Sequence, residues 1–241
     1  MTAKLKRGLI AFVAFDVLLV LVLISLFIAK SEVDSNREAA EQLRNLGTTV
    51  FPTAIELDDF QLQDQFGNPF SKQDFSGDWT LVFFGFTNCP DICPLTMSEL
   101  KQFYERLDEP SLKQDLKIVM VTVDPERDDP QSMGSYVGSY HPDFIGLSGS
   151  PESISNLASQ LYVAHSRSPQ PEAVTTEASQ ETAQHEHAGS ASTAPTDDYL
   201  IQHSGHIAVI NPQAQYHAVI RLPHRDQDLA KVYRSIRSNW R

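Results

Sequence analysis

The apolar run Thr80-Leu81-Val82-Phe83-Phe84-Gly85-Phe86 leads straight into Asn88-Cys89-Pro90-Asp91-Ile92-Cys93-Pro94, which holds both cysteines of the chain. Beyond Pro94, Met97, Leu100, Phe103, Tyr104 and Leu107 recur at helical spacing, a stripe for core packing. The chain therefore runs from a buried strand through a cysteine loop into a helix, and any fold it adopts must place two thiols at that junction.

Cysteines at i and i+4 lie on one side of a helical turn, so they can either close a disulfide or grip one soft metal ion. A structural staple explains them poorly. So short a loop removes little entropy from the unfolded chain, and 241 residues, 41% of them hydrophobic, build a core without one. A helix N-terminus favours the thiolate, and Pro94 fits a first helical turn. Two thiolates alone suit Cu(I); one added imidazole gives a set that also holds Cu(II). Of the eight histidines, His203 is the candidate third ligand, because it precedes the C-terminal hairpin. His206 is the reserve if His203 points away.

Strands are expected at Trp79 to Phe86, Lys117 to Val123 and Phe144 to Leu147, with helices at Pro94 to Leu107, Pro130 to Tyr140 and Pro151 to Leu161. This alternation predicts an α/β fold built on parallel βαβ units. A hairpin precedes them at Phe60 to Phe70, turning at Gly67-Asn68, and another follows, Ile207 to Ile210 with Ala218 to Arg221. A closing helix places Leu229, Val232, Tyr233, Ile236 and Trp240 on one face. Residues 166–198 turn sharply to Ser, Thr, Ala, Pro, Gln and Glu and read as a mobile insertion, since they bury too little to offset ordering.

Lys4, Lys6 and Arg7 precede an apolar run from Leu9 to Ala29 broken only by Asp16 and Ser25. A run of about 20 residues crosses a bilayer as a helix, with its positive flank in the cytoplasm. An uncleaved anchor over residues 1–30 is the expectation, ahead of a cleaved signal peptide, because Ile28-Ala29-Lys30-Ser31 is a poor cleavage site. Residues 31–50 then form a tether and residues 51–241 the domain. The expected location is a single-pass protein of a bacterial inner membrane with its domain in the periplasm, an oxidising compartment. Residues 31–241 carry 15 bases against 30 acids, a formal −15. That charge repels phosphate backbones and argues against nucleic-acid binding.

Phe75-Ser76-Gly77-Asp78-Trp79, the stretch Phe84 to Pro94, Val123-Asp124-Pro125-Glu126-Arg127-Asp128 and His203-Ser204 together resemble the Sco/SenC proteins that serve cytochrome c oxidase assembly. The resemblance covers about Phe60 to Val232, the insertion excepted. It implies a thioredoxin-like domain, copper held by Cys89, Cys93 and His203, and delivery to the CuA-bearing subunit of the oxidase, served in turn by a copper donor and a thiol reductant. It leaves a second reading open, a thiol-disulfide oxidoreductase acting through Cys89 and Cys93 on that subunit or another acceptor. Two departures stand out. Gln202 replaces the Asp that family members place before the copper histidine, and His185-Glu186-His187 lies in an unusually long insertion. His185 and His187 are read as solvated, His206 and His217 as surface or satisfied. His141, His165 and His224 have no recognisable partner in the sequence. Asp124 and Asp128 are expected to shape the loop after a central strand.

Overall fold

The computed structural model describes residues 3–169, 199–238 and 240. The first helix, α1, runs Ala3–Asn45; strands β1 (Thr48–Glu56), β2 (Gln61–Asp64) and β3 (Pro69–Ser71) follow. Then come β4 (Trp79–Gly85), α2 (Ile92–Arg106), a short α3 (Pro110–Lys113), β5 (Leu116–Thr122), α4 (Pro130–Tyr140), β6 (Ile145–Ser148) and α5 (Pro151–Gln160). The chain closes with β7 (His165–Pro169), β8 (Tyr199–His203), β9 (Ile207–Ile210), β10 (Gln215–Ile220) and α6 (Asp226–Ser238).

Eight strands form one mixed sheet in the order β1-β10-β9-β4-β5-β6-β2-β3. Every residue of β4 is buried, and β5 is nearly so. Strands covered on both faces read as unbroken apolar runs without alternation, which is why these two were visible in the sequence. They pair in parallel, Trp79 opposite Leu116 through Gly85 opposite Thr122, and β6 extends the parallel set. β9 joins β4 antiparallel on its other side. Helix α2 packs against both α4 and α6, burying Met97, Leu100 and Phe103. On α6, Leu229, Val232, Tyr233 and Ile236 are buried as its periodicity required, and Trp240 stacks edge-on to Trp79. The Phe60–Phe70 hairpin forms with Leu62 opposite Phe70, and Gly67 takes its turn at φ 81° while Asp64 accepts hydrogen bonds from the Phe66 and Asn68 amides.

Three features differ from expectation. β1, unmarked in the sequence, pairs with β10 at the sheet edge; Pro52 and a half-exposed, non-alternating pattern hide it, and an edge is where a strand tolerates proline. Core contact reaches back to Leu43 in α1. At the expected insertion of 166–198, Ser166 to Pro169 are paired with Tyr199 to Gln202 in a two-stranded ribbon, so ladder hydrogen bonds order its first residues; residues 170–198, with His185 and His187, lie outside those described. Among the described residues no helix is long and apolar enough to cross a membrane. Part of the expected anchor, the side chains of residues 3–14, 17 and 29, also lies outside the described set.

Candidate metal centre

The centre is assembled from the β4–α2 connection and from β8. Gly85 ends β4 where space is least: a Cβ there would stand 2.9 Å from Cys93 Sγ and 2.9 Å from the Phe83 ring. Glycine at this position is what lets the first turn of α2 lay Cys93 against the strand. Cys93 is fully buried, whereas Cys89, in the loop ahead of the helix, is half-buried. The Cys89 amide donates to the Phe86 carbonyl at 3.2 Å, folding the loop back on the strand end.

The loop is fastened from the β5 side by Asp128, which is fully buried. Its carboxylate accepts from the Thr87 amide at 3.0 Å, the Thr87 hydroxyl at 2.5 Å and the Thr122 hydroxyl at 2.7 Å. Three donors compensate the cost of burying that charge. Asp124 pairs with Arg127, and its amide donates to the Thr122 hydroxyl at 2.9 Å. Both aspartates shape the loop as expected, while the cap of α4 is Asp129, which accepts from the Ser132 amide at 2.7 Å. The clamping of Thr87 by Asp128 escaped the sequence reading because the two residues are 41 positions apart.

His203 ends β8 with its ring edge-on to Phe83 and Phe86. Its Nδ1 donates to the Ser204 carbonyl at 3.2 Å, which fixes the ring with Nε2 aimed at Cys93 Sγ, 3.5 Å away. The ligand atoms of Cys89, Cys93 and His203 all lie within 4.8 Å of one another. Two thiols and one imidazole nitrogen form a soft donor set.

The thiols ionise oppositely. Cys89 is pushed down to about 4, foremost by the hydrogen bond from the Cys93 side chain, against the cost of burial, with help from His203 and the Asp91 and Cys93 amides. Cys93 is driven up because it supplies that hydrogen bond and is buried. One proton thus sits between the sulfurs, on the deeper one.

The other histidines are engaged elsewhere. His206 Nε2 donates to the Leu161 carbonyl at 3.1 Å, so the reserve ligand faces away from the cysteines. His217 is wedged between Trp79 and Trp240. His224, without an evident partner in sequence, donates to the Gly205 carbonyl at 2.7 Å, and His141 accepts from the Asp143 amide at 3.1 Å and lies edge-on to Tyr104. His165 stands opposite His203 in the β7–β8 ribbon.

A profile of the SCO1/SenC family matches residues 50–238. The mouse mitochondrial SCO2 homolog is 36% identical over 164 residues, which are 68% of this chain and 55% of that protein. A Stutzerimonas stutzeri protein carrying a provisional copper-binding name is 31% identical over 192 residues, 80% of this chain and 82% of its own. The chain thus spans most of the bacterial relative but little over half of the mitochondrial one. Among solved structures, the copper-bound Arabidopsis thaliana ScoI superposes with a TM-score of 0.59 at 28% identity, covering 75% of this chain and 98% of that one. Apo Sco1 from Thermus thermophilus gives 0.61 at 28% identity, covering 80% and 96%. With the fold, the cysteine loop and the matched span in agreement, the chain belongs to the SCO1/SenC family.

Proposed function

We propose that this protein is a membrane-anchored copper metallochaperone that loads the CuA site of cytochrome c oxidase. The observation that carries the reading is the convergence of Cys89, Cys93 and His203, distant in sequence, to within 4.8 Å. The copper-binding name of the Stutzerimonas stutzeri relative and the copper-bound state of the Arabidopsis ScoI structure support it. Copper is cargo here. Cys93, buried and held against Gly85, is the fixed donor; half-exposed Cys89 is the donor an incoming ligand reaches first. Transfer then runs by stepwise ligand exchange, an acceptor thiolate replacing Cys89 before Cys93 lets go. Anchoring is supported by the apolar run from Leu9 to Ala29 and by the largely exposed apolar side chains of α1 from Phe15 to Ile28. It would hold the domain beside a membrane acceptor.

The ready ionisation of Cys89 to its thiolate favours a second reading, thiol-disulfide exchange. The Cys89 thiolate attacks an acceptor disulfide and releases one acceptor thiolate. Cys93, on losing its proton, attacks the Cys89 sulfur and releases the second, leaving a Cys89–Cys93 disulfide that an external thiol reductant must reopen.

Metal analysis and Cu(II) charge-transfer absorption separate the two. Wild type is expected to hold one equivalent of copper with sulfur-to-copper bands, lost in Cys93→Ala and altered in His203→Ala. Wild type that binds no copper tightly while reducing an acceptor disulfide would transfer the function to the exchange chemistry.

A further inference from the structure

The β7–β8 ribbon puts His165 directly opposite His203. The Ser204 amide donates to the Ala164 carbonyl at 2.8 Å, and the Ala164 amide to the Ser204 hydroxyl at 3.1 Å, so the bonded rung is the neighbouring one. His165 and His203 therefore occupy an unbonded rung, where opposed Cα atoms approach to about 4.5 Å and side chains share a face. Both residues line one shallow cavity of about 310 Å³, with Ala164, Ser166, Gln202 and Ser204. His203 is tethered through Nδ1, but the partly exposed His165 imidazole makes no hydrogen bond among the described residues and turns toward an ion without breaking one. Gln202 borders the same cavity but is exposed, and strand alternation turns its side chain away from the face that His203 shares with His165.

We propose that His165 is a second imidazole donor of the metal centre, recruited when the bound copper is Cu(II). The inference rests on the copper-binding reading of Cys89, Cys93 and His203. Its selectivity for oxidation state follows from coordination preference: Cu(I) is satisfied by few soft donors, whereas Cu(II) takes a tetragonal set that includes nitrogen or oxygen. Two sulfurs and His203 leave such a set one donor short, and His165 supplies it.

The test is electron paramagnetic resonance, with pulsed detection of imidazole nitrogen, on the whole chain in detergent loaded with one equivalent of Cu(II). Wild type and Gln202→Ala are expected to show two coupled imidazoles, and His165→Phe and His165→Gln one each. Cu(II) affinity should fall about tenfold or more in both His165 variants, about 1.4 kcal/mol, while Cu(I) affinity measured against a chromophoric chelator stays within about twofold. One imidazole in wild type, or variant spectra that superimpose on it, would overturn the role of His165 and leave the copper reading intact. Equal loss of Cu(I) and Cu(II) in both variants would mark His165 as structural and overturn it too. Wild type that takes up no copper at all removes both readings together.

Discussion

Cys89 and Cys93 are identical in chemistry and four positions apart, yet the fold separates their protons. Cys89 meets amides and a thiol donor at a loop; Cys93 sits in apolar surroundings and gives its hydrogen to Cys89. An ordinary cysteine loses reactivity as pH falls through about 8.5. Alkylation of Cys89 by iodoacetamide is expected instead to hold nearly constant from pH 8 to about 5, because its thiolate persists until about 4, with Cys93 unlabelled in the folded protein. Cys93→Ala removes the main donor and should carry the midpoint for Cys89 upward. A midpoint near the free-thiol value in wild type would mean that the sulfurs do not share a proton.

At the scale of elements, the centre depends on how closely α2 approaches β4. Replacing Gly85 by alanine introduces a methyl 2.9 Å from Cys93 Sγ and the Phe83 ring and 3.0 Å from the Met120 methyl, in a strand bonded on both sides. All three neighbours are fully buried, and only the Met120 methyl ends a long flexible side chain. Overpacking of this kind costs about 1–3 kcal/mol, which thermal unfolding would register as a fall of about 2–4 °C per kcal/mol. Copper affinity should fall with it, since the displaced sulfur is a proposed ligand; unchanged melting and copper uptake would show that the strand end has more freedom than these distances allow. The β7–β8 ribbon acts at the same scale, because its ladder, with the pairing of β9 to β4, brings His203, 110 residues from Cys93, to its place.

For the molecule as a whole, pH acts through histidines away from the centre. Burial lowers His206, His217 and His224 below the ordinary value of 6.5. Each takes a proton less readily in the fold than once unfolded. Well above pH 6.5 the contribution is complete; as pH falls through 6.5 the unfolded chain binds more protons than the folded one and stability drops. Thermal unfolding from pH 7.5 to 5 should show the melting temperature falling most steeply below about 6.5, and His224→Gln, which keeps an amide donor for the Gly205 carbonyl, should flatten that slope. A melting temperature level across this range would mean that these rings accept protons in place. The sequence by itself determined the central β4–α2–β5 layout, the hairpins and the cysteine pair, because buried strands, helical stripes and turn residues are local signals that periodicity exposes. It also carried the residues by which the family resemblance, and His203 with it, was read. Only the tertiary structure decided that His203 rather than His206 faces Cys93, that Asp128 clamps Thr87, that β1 closes the sheet edge and that His165 stands across from His203. Each of these rests on pairing or packing between segments tens of residues apart, which leaves no periodic trace in either segment alone.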